Sequence, residues 1–395
     1  MLSSVFAFLP MYVCGFWSLA LLLDFSSRNR AKSFLGIFML VAFVLYCCHG
    51  LFFTRQYHLY TLADPVYNFA SLAVYPMYYL YVRLLTVDER LSWKQYWILV
   101  PALCSGLMIG LLTFLMSPQE EEAYVHLFGF REHWSGTPSA LVLWQMRVVM
   151  ISRVLFCIQL IPLVWYTLSL IRRYQKRIAD FYSHSEGRSL QWTRYILLSF
   201  VVLSCISLIF SVIGRTYFVV HSSAVVIPSI LFSAFLFLVG WLGSHQNYTV
   251  VNFVSDENLS DTSVLNLHIM PGSLPILKSH LLELMEHKEI YRRPDLRITD
   301  VAAMLNTNRT YLSRLINSEM STSFADFVNN YRVDYARTLL KNPRYANYGL
   351  LFVSEQSGFA SLNSFLRAFK KQEGITPAKF RQQNLSVSVA MDSNP

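Results

Sequence analysis

Arginines and short polar side chains recur at helical spacing twice in the last third of the 395-residue chain. The first set follows Asn308 and the second follows Ser361. Their members are Arg309, Thr310, Ser313, Arg314, Leu362, Asn363, Ser364 and Arg367. A guanidinium can donate two hydrogen bonds to a guanine edge, while hydroxyl and amide groups bond to phosphates and base edges. Lys370 and Lys371 add charge that neutralises phosphate, so this chemistry predicts an interface for double-stranded DNA.

A helix-turn-helix unit would position the first set. The apolar residues that form one face of its supporting helix are Ile298, Val301, Ala302 and Leu305. They recur at the spacing of a helix. Asn306 occupies the predicted turn, where Asn tolerates the left-handed backbone that a tight turn requires. Asn308 is a favoured N-cap for the second helix, predicted over 309–318, which we call the first reading helix.

A second unit of the same design follows. Gly358 stands where Asn306 stands in the first unit, and Ser361 is the predicted N-cap of the second reading helix, over 362–371. Arg367 lies six residues after Ser361, as Arg314 lies six residues after Asn308. Two further helices are predicted, over 274–287 and over 324–340. The design is therefore an internal repeat joined by a long helix.

Four motifs in residues 273–385 are specific to a family. They are YLSRLIN at 311–317, NNYRV at 329–333, SGF at 357–359 and GITPAKFR at 374–381. With them, this stretch resembles the DNA-binding domain of the AraC/XylS family of bacterial transcription regulators. The sensor barrel that usually accompanies this domain is absent from the sequence, so the resemblance implies DNA binding but not the signal.

The resemblance also implies roles for individual residues. Thr310, Ser313 and Arg314 would contact bases in one major groove, and the second set would contact bases in the next. The two reading helices would then lie about one helical turn apart on one face of the duplex, ~34 Å. Leu362 and Leu366 depart from the family, which more often has polar residues there, so the second unit would either contact a thymine methyl or contribute less specificity. RNA polymerase is a candidate partner, and no cofactor is implied.

The first 243 residues have a different composition. Across the whole chain 54% of residues are hydrophobic and the mean hydropathy is +0.37, above the usual values for water-soluble domains. Seven apolar segments have the length that a helix needs to cross a bilayer. They are 3–23, 33–53, 66–85, 97–116, 148–171, 195–213 and 224–243. We therefore predict an all-α protein, a seven-helix transmembrane bundle followed by a helical DNA-binding domain.

Basic residues in the predicted loops indicate the orientation. Loops after the first, third and fifth segments, with Arg83 at the end of the third, hold twelve Lys and Arg, and the alternate loops hold four. The positive-inside rule places the N-terminus outside and the DNA-binding end in the cytoplasm of a bacterial inner membrane. No CxxC spacing occurs among the six cysteines, and no catalytic motif is recognised. The sequence therefore predicts no disulfide framework, no metal site and no enzyme.

The remaining boundaries follow from charge and polarity. Residues 244–272 hold three acidic and no basic residues, which predicts a linker, although Val250, Val251 and Phe253 could form a strand or continue the last helix. Residues 386–395 are predicted to be a disordered tail.

Four residues of the membrane part are candidates for sensing a signal. Arg153 lies within the fifth predicted span, where an ionisable group is by default a functional hypothesis. The alternative is a helix that begins near Ser152, so that Arg153 reaches the interface. His49 is a hydrogen-bonded interfacial residue or a proton relay. His126 and His133, in the acidic external loop, could bind a cation or titrate, or could simply be solvated.

Together these features favour a one-component transcription regulator whose membrane helices sense a small-molecule or physical signal. Its partners would be double-stranded DNA, membrane lipids and, as a candidate, a second copy of the chain. One rival is a membrane transporter or receptor with an accessory helix-turn-helix domain. Another is an adaptor in which that domain binds protein.

Overall fold

The computed structural model describes residues 2–24, 29–53, 57–87, 90–130, 134, 136–184, 188, 190–213, 222–246, 249–261 and 274–392. These residues form two compact units. The first consists of Met1–Arg172 and Leu190–Val251, and the second of Arg173–Ser189 and Asn252–Pro395. The named elements of the described residues are all helices, which confirms the predicted fold class at this level.

Among the described residues, eight helices contribute to the first unit. They are α1 (Leu2–Leu22), α2 (Arg30–Phe53), α3 (Tyr57–Thr86), α4 (Val100–Leu115), α5 (Pro118–Tyr124), α6 (Ala140–Phe181), α7 (Gln191–Ile213) and α8 (Val226–Ser244). The last nine residues of one of them, α6, belong to the second unit. A 3₁₀ helix, Trp93–Leu99, precedes α4, and a π-helix, Val125–Phe130, follows α5. A helix thus occurs at each of the seven apolar segments.

These helices differ in whether they are long and apolar enough to cross a membrane. Within the part of the chain that the structure describes, five stretches are long and apolar enough to cross a membrane: Val5–Leu22, Arg30–Leu51, Trp93–Leu115, Ala140–Phe181 and Val226–Ser244. Gln191–Ser207 is a shorter apolar helix, and α3 is not among the five. The count of seven spans therefore stays a prediction.

Hydrogen bonds between buried polar groups join these helices. A polar group without a partner would be costly in an apolar medium. The Tyr78 hydroxyl on α3 donates to the Thr193 carbonyl of α7 at 2.8 Å. The Ser105 and Ser152 hydroxyl oxygens, on α4 and α6, lie 2.5 Å apart. Such pairs fix the register of neighbouring helices.

Helix α6 is 42 residues long, about 63 Å at 1.5 Å per residue and twice the thickness of a hydrocarbon core. It begins at Ala140, so the alternative in which this helix starts near Ser152 is wrong. Arg153 lies four turns inside the helix.

The second unit contains the predicted repeat. After helices α9 (Val250–Asp261) and α10 (Leu274–Glu286) come the first supporting helix (Ile298–Met304) and the first reading helix (Arg309–Arg314, continued by a π-helix, Leu315–Glu319). The bridging helix, Phe324–Lys341, leads to the second supporting helix (Leu350–Gln356), the second reading helix (Leu362–Glu373) and a closing helix (Pro377–Asp392).

Two stretches differ from their sequence-based assignment. Residues 250–261 of the predicted linker are helical, and Phe253 is buried. Residues 386–392, assigned to a disordered tail, continue the closing helix. The apolar side chains Val250 and Phe253 explain the first difference, because a helix lets both pack inward.

Candidate functional site

The first helix-turn-helix is held by local contacts that the sequence predicted. Asn306 has φ +48°, the left-handed conformation expected at the turn. The Asn308 side chain accepts a hydrogen bond from the Tyr311 amide at 2.9 Å, as an N-cap should. Leu312, Leu315 and Ile316 are buried. The opposite face of the first reading helix is therefore free to carry the polar set.

The second helix-turn-helix repeats this geometry with other residues. Gly358 has φ +83° at the turn, and the Ser361 hydroxyl accepts from the Ser364 amide at 3.1 Å. Phe365 and Phe369 point into a core that also contains Phe380 of the closing helix. The GITPAKFR motif thus supplies packing for the second reading helix.

The exposed faces of both reading helices hold most of the predicted DNA contacts. Exposed members are Thr310, Arg314, Asn363, Arg367, Lys370 and Lys371, and half-buried members are Arg309, Ser313, Leu362 and Ser364. Arg314 and Arg367 lie on the solvent side of their helices, each six residues after its N-cap. The arrangement presents one guanidinium from each unit.

Some members of these sets also have contacts inside the protein. Lys371 Nζ lies 2.6 Å from an Asp326 carboxylate oxygen. The Ser313 hydroxyl accepts from the Asn317 amide group at 3.1 Å. Leu362 packs against the core of the second helix-turn-helix, so only part of its side chain is available to a partner.

Arg332, in the NNYRV motif, has a role that sequence reasoning missed. It is 1% exposed, and its guanidinium donates to the carbonyls of Tyr291 (2.7 Å) and Arg293 (2.6 Å) and to the Ser183 hydroxyl (3.1 Å). Burial lowers the pKa of Arg332 to about 9, and the Asp295 carboxylate opposes that shift. Arg332 therefore joins the bridging helix to residues 291–293, which precede the first helix-turn-helix.

The partner of Arg332 at Ser183 belongs to the Arg173–Ser189 segment, which lies in the second unit although its sequence falls between predicted spans. Phe181, Tyr182 and Ser183 are buried there, at 1%, 1% and 3% exposure. Two adjacent aromatic side chains in a loop of basic residues were the only sequence signal for this packing.

Two of the four sensor candidates line one cavity of about 310 Å³ in the first unit. His49, on α2, stacks on Tyr67 with ring centroids 6.4 Å apart. The Arg153 guanidinium, on α6, lies 5.0 Å from the centroid of the Phe128 ring. No spacing along the chain predicts that these two residues line the same cavity.

The same cavity is lined by Asp64, which is 2% exposed. Its carboxylate accepts hydrogen bonds from the hydroxyls of Tyr124 (2.9 Å) and Tyr60 (3.2 Å) and from the side-chain amide of Asn68 (3.1 Å). Three donors on one buried carboxylate form a built polar network in an otherwise apolar bundle.

His126, in the predicted external loop, is not among the residues that line this cavity. His126 Nε2 lies 4.0 Å from a Glu122 carboxylate oxygen, and its ring stacks on Trp134 at 5.8 Å. His133 lies outside the described residues. Within the described part of the chain no group of three His, Cys, Asp or Glu side chains is placed to hold a metal ion.

Comparison with known proteins assigns the C-terminal part. A family model described as a helix-turn-helix domain matches residues 301–383. The chain is 34% identical over 93 residues to the uncharacterized HTH-type transcriptional regulator YtdP of Bacillus subtilis, which is 24% of this chain and 12% of that protein.

Two further relatives match the same part. The Msm operon regulatory protein of Streptococcus mutans is 31% identical over 22% of this chain and 31% of its own length. The TCP pilus virulence regulatory protein of Vibrio cholerae is 29% identical over 21% of this chain and 29% of its own length. The chain thus spans about an eighth to a third of these relatives. The C-terminal part of the chain is a helix-turn-helix domain of the AraC type, and it is preceded by helices that are apolar enough to span a membrane.

Proposed function

We propose that this protein is a membrane-embedded one-component transcription regulator, which binds promoter DNA through both helix-turn-helix units under the control of a signal sensed by its membrane helices. The observation that carries the proposal is the repeated placement of Arg314 and Arg367, each exposed six residues after a working N-cap. An arginine in that position of a reading helix can make a bidentate contact to guanine.

Each unit supplies its own contacts to DNA. Arg314, with Thr310 and Ser313, serves the first major groove, and Arg367, with Asn363, serves the second. Lys370 and Lys371 hold phosphates, which adds affinity without sequence preference. Residues 273–385 hold sixteen Lys and Arg against ten Asp and Glu, a modest excess. Affinity therefore depends on both units binding together, and a dimer of the chain would add to it.

The membrane half of the proposal rests on five long apolar stretches and on the distribution of charge between the predicted spans. The loops assigned to the cytoplasm, with Arg83 at the end of the third span, hold twelve basic residues against four in the others, which orients the DNA-binding end inward. A regulator tethered in this way searches the DNA that passes near the membrane.

The signal site is the cavity lined by His49, Asp64 and Arg153. Ionisable groups from three helices converge there on aromatic walls. A volume of about 310 Å³ lies at the lower end of the range for ligand pockets, so the cavity suits a small amphipathic molecule. Binding would favour one packing of the helices over another and thereby shift the population that engages DNA.

Genome-wide chromatin capture with the full-length protein tests the DNA-binding half. The variants are the double substitution Arg314→Ala/Arg367→Ala and, as a matched control, Arg344→Ala, an exposed arginine of the same unit outside the reading helices. Discrete promoter peaks that persist in the control and vanish in the double variant are expected. A well-expressed protein without peaks would overturn the proposal in favour of a transporter or an adaptor.

A reporter at a captured promoter tests the sensing half. Growth conditions that change its expression with the natural protein are compared in Arg153→Gln and Arg147→Gln variants. Arg147 lies on the same helix but is exposed and outside the cavity. We expect the first variant to lose the response and the second to keep it, and an intact response in both would remove the cavity from the account.

A further inference from the structure

The Arg173–Ser189 segment packs within the DNA-binding unit and reaches both reading helices. It is anchored by a backbone ladder, because Tyr182 forms an antiparallel bridge with Arg297 and the Ser183 amide donates to the Leu296 carbonyl at 3.1 Å. This anchor lies just before the first supporting helix. The segment is therefore part of the folded unit.

Side-chain contacts strengthen this anchor. The buried Tyr182 hydroxyl donates to an Asp256 carboxylate oxygen at 2.5 Å, and the guanidinium of Arg297 lies 3.4 Å from the same carboxylate. The ring of Tyr182 also lies 4.2 Å beneath the Arg188 guanidinium. Buried hydrogen bonds to charged groups are among the stronger contacts in proteins, so the segment is held firmly.

Beyond the anchor, two side chains of the segment contact the reading helices. The Arg309 guanidinium lies 5.7 Å from the Phe181 ring centroid. Burial raises the pKa of the neighbouring Asp180 carboxyl, and Asn317 beside it opposes that shift. On the second reading helix, the Ser364 hydroxyl lies 3.2 Å from His184 Nδ1.

Arg309 and Ser364 are both in the set proposed to contact DNA, and they come from different helix-turn-helix units. For each of these two side chains, the contact with the segment competes with a contact to a phosphate or a base edge. Asp180 also places a carboxylate beside the first reading helix, where it would repel the phosphate backbone.

We propose that the Arg173–Ser189 segment is an internal competitor of DNA: it occupies part of the reading surface of both units, and promoter binding requires its displacement. This inference rests on the proposed function and adds the regulation of the same site.

Hydrogen exchange of the natural full-length protein in lipid nanodiscs tests the competition without any substitution. The probe is the promoter fragment under the strongest chromatin peak, compared with the same fragment with its captured site scrambled. Displacement would break the bond between the Ser183 amide and the Leu296 carbonyl, so peptides covering 181–184 should exchange faster when the promoter is bound. Unchanged or increased protection would show that segment and DNA bind together, which overturns the proposal.

A variant tests the same idea through affinity. His184→Ala removes the contact with Ser364 while it leaves the anchor at Tyr182 and Ser183, and His287→Ala is an exposed control in the same unit. Loss of one competing hydrogen bond should tighten promoter binding about fivefold. Weaker or unchanged binding by His184→Ala would contradict the proposal.

The two proposals fail in different ways. If neither the natural protein nor His184→Ala binds the promoter, the proposed function is at fault. If both bind it equally, and Arg314→Ala/Arg367→Ala does not, the function stands and only the internal competitor is rejected.

Discussion

A β-carbon built on Gly358 would lie 2.5 Å from the Cα atom of Arg292. The backbone in the turn of the second helix-turn-helix therefore packs directly against the backbone of Arg292, which precedes the first helix-turn-helix. The φ of Gly358, +83°, is itself unfavourable for any other residue. The Arg292 side chain reinforces the contact, because its Nε donates to the Gln356 carbonyl at 3.1 Å. This close contact ties the second helix-turn-helix to the residues that precede the first one.

Gly358→Ala should therefore destabilise the DNA-binding unit by about 3 kcal/mol, because it adds both strain and overlap with backbone atoms that cannot move away. Gly374→Ala has the strain alone, with open space around the new carbon, and should cost about 1 kcal/mol. Gly349→Ala has neither and should be nearly neutral. Hydrogen exchange of the bridging helix in the full-length protein measures the three, and equal effects would contradict this ranking.

Arg332→Met should be as damaging as Gly358→Ala, since it leaves the carbonyls of Tyr291 and Arg293 buried without their donor. Each buried group left unsatisfied costs about 1–3 kcal/mol. Arg337→Met, on the same helix, breaks only half-exposed ion pairs with Asp334 and Glu373 and should cost at most about 1 kcal/mol. Protease resistance of the unit in membranes would compare them, and a milder loss for Arg332→Met would exclude its structural role.

Removal of either N-cap should loosen one reading helix only. Asn308→Ala and Ser361→Ala each remove a hydrogen bond to the first turn and should cost about 1 kcal/mol. Exchange rates in the capped helix should rise while those of the other reading helix stay unchanged. Equal loosening of both helices would mean that the two units open together.

The orientation can be tested with enzyme fusions. Alkaline phosphatase, active only outside, and a fluorescent protein, active only inside, would be fused after Val87, within 131–133, and after Gln246. Seven spans with the N-terminus outside predict an internal, an external and an internal site, in that order. The first two fusions also separate seven spans from five, because without α3 as a span the site after Val87 would lie outside and the site within 131–133 inside.

The local features of the DNA-binding unit were predictable from its sequence. Asn306 at the turn, and Asn308 and Ser361 as N-caps, follow from backbone preferences of single residues, and all three are confirmed. Leu362 was expected to face outward, yet it packs partly into the core, because it lies in the first turn of a helix whose apolar face is wide.

Features that depend on contacts between distant residues were not predictable. The burial of Arg332 contradicts the usual exposure of a charged side chain, and only its backbone carbonyl partners explain it. His49 and Arg153 share a cavity because α2 and α6 both border it, which no spacing in the sequence reveals. The packing of Tyr182 was not predicted, because the basic residues around it indicate only a cytoplasmic loop between membrane spans.

The most direct test of the account is a footprint of a captured promoter by the full-length protein in nanodiscs. Two protected patches about one helical turn apart, ~34 Å, are expected on one face of the duplex. Arg314→Ala should erase one patch and Arg367→Ala the other, while Arg344→Ala should leave both. A single patch, or a footprint that neither arginine changes, would contradict the claim that two helix-turn-helix units bind the promoter.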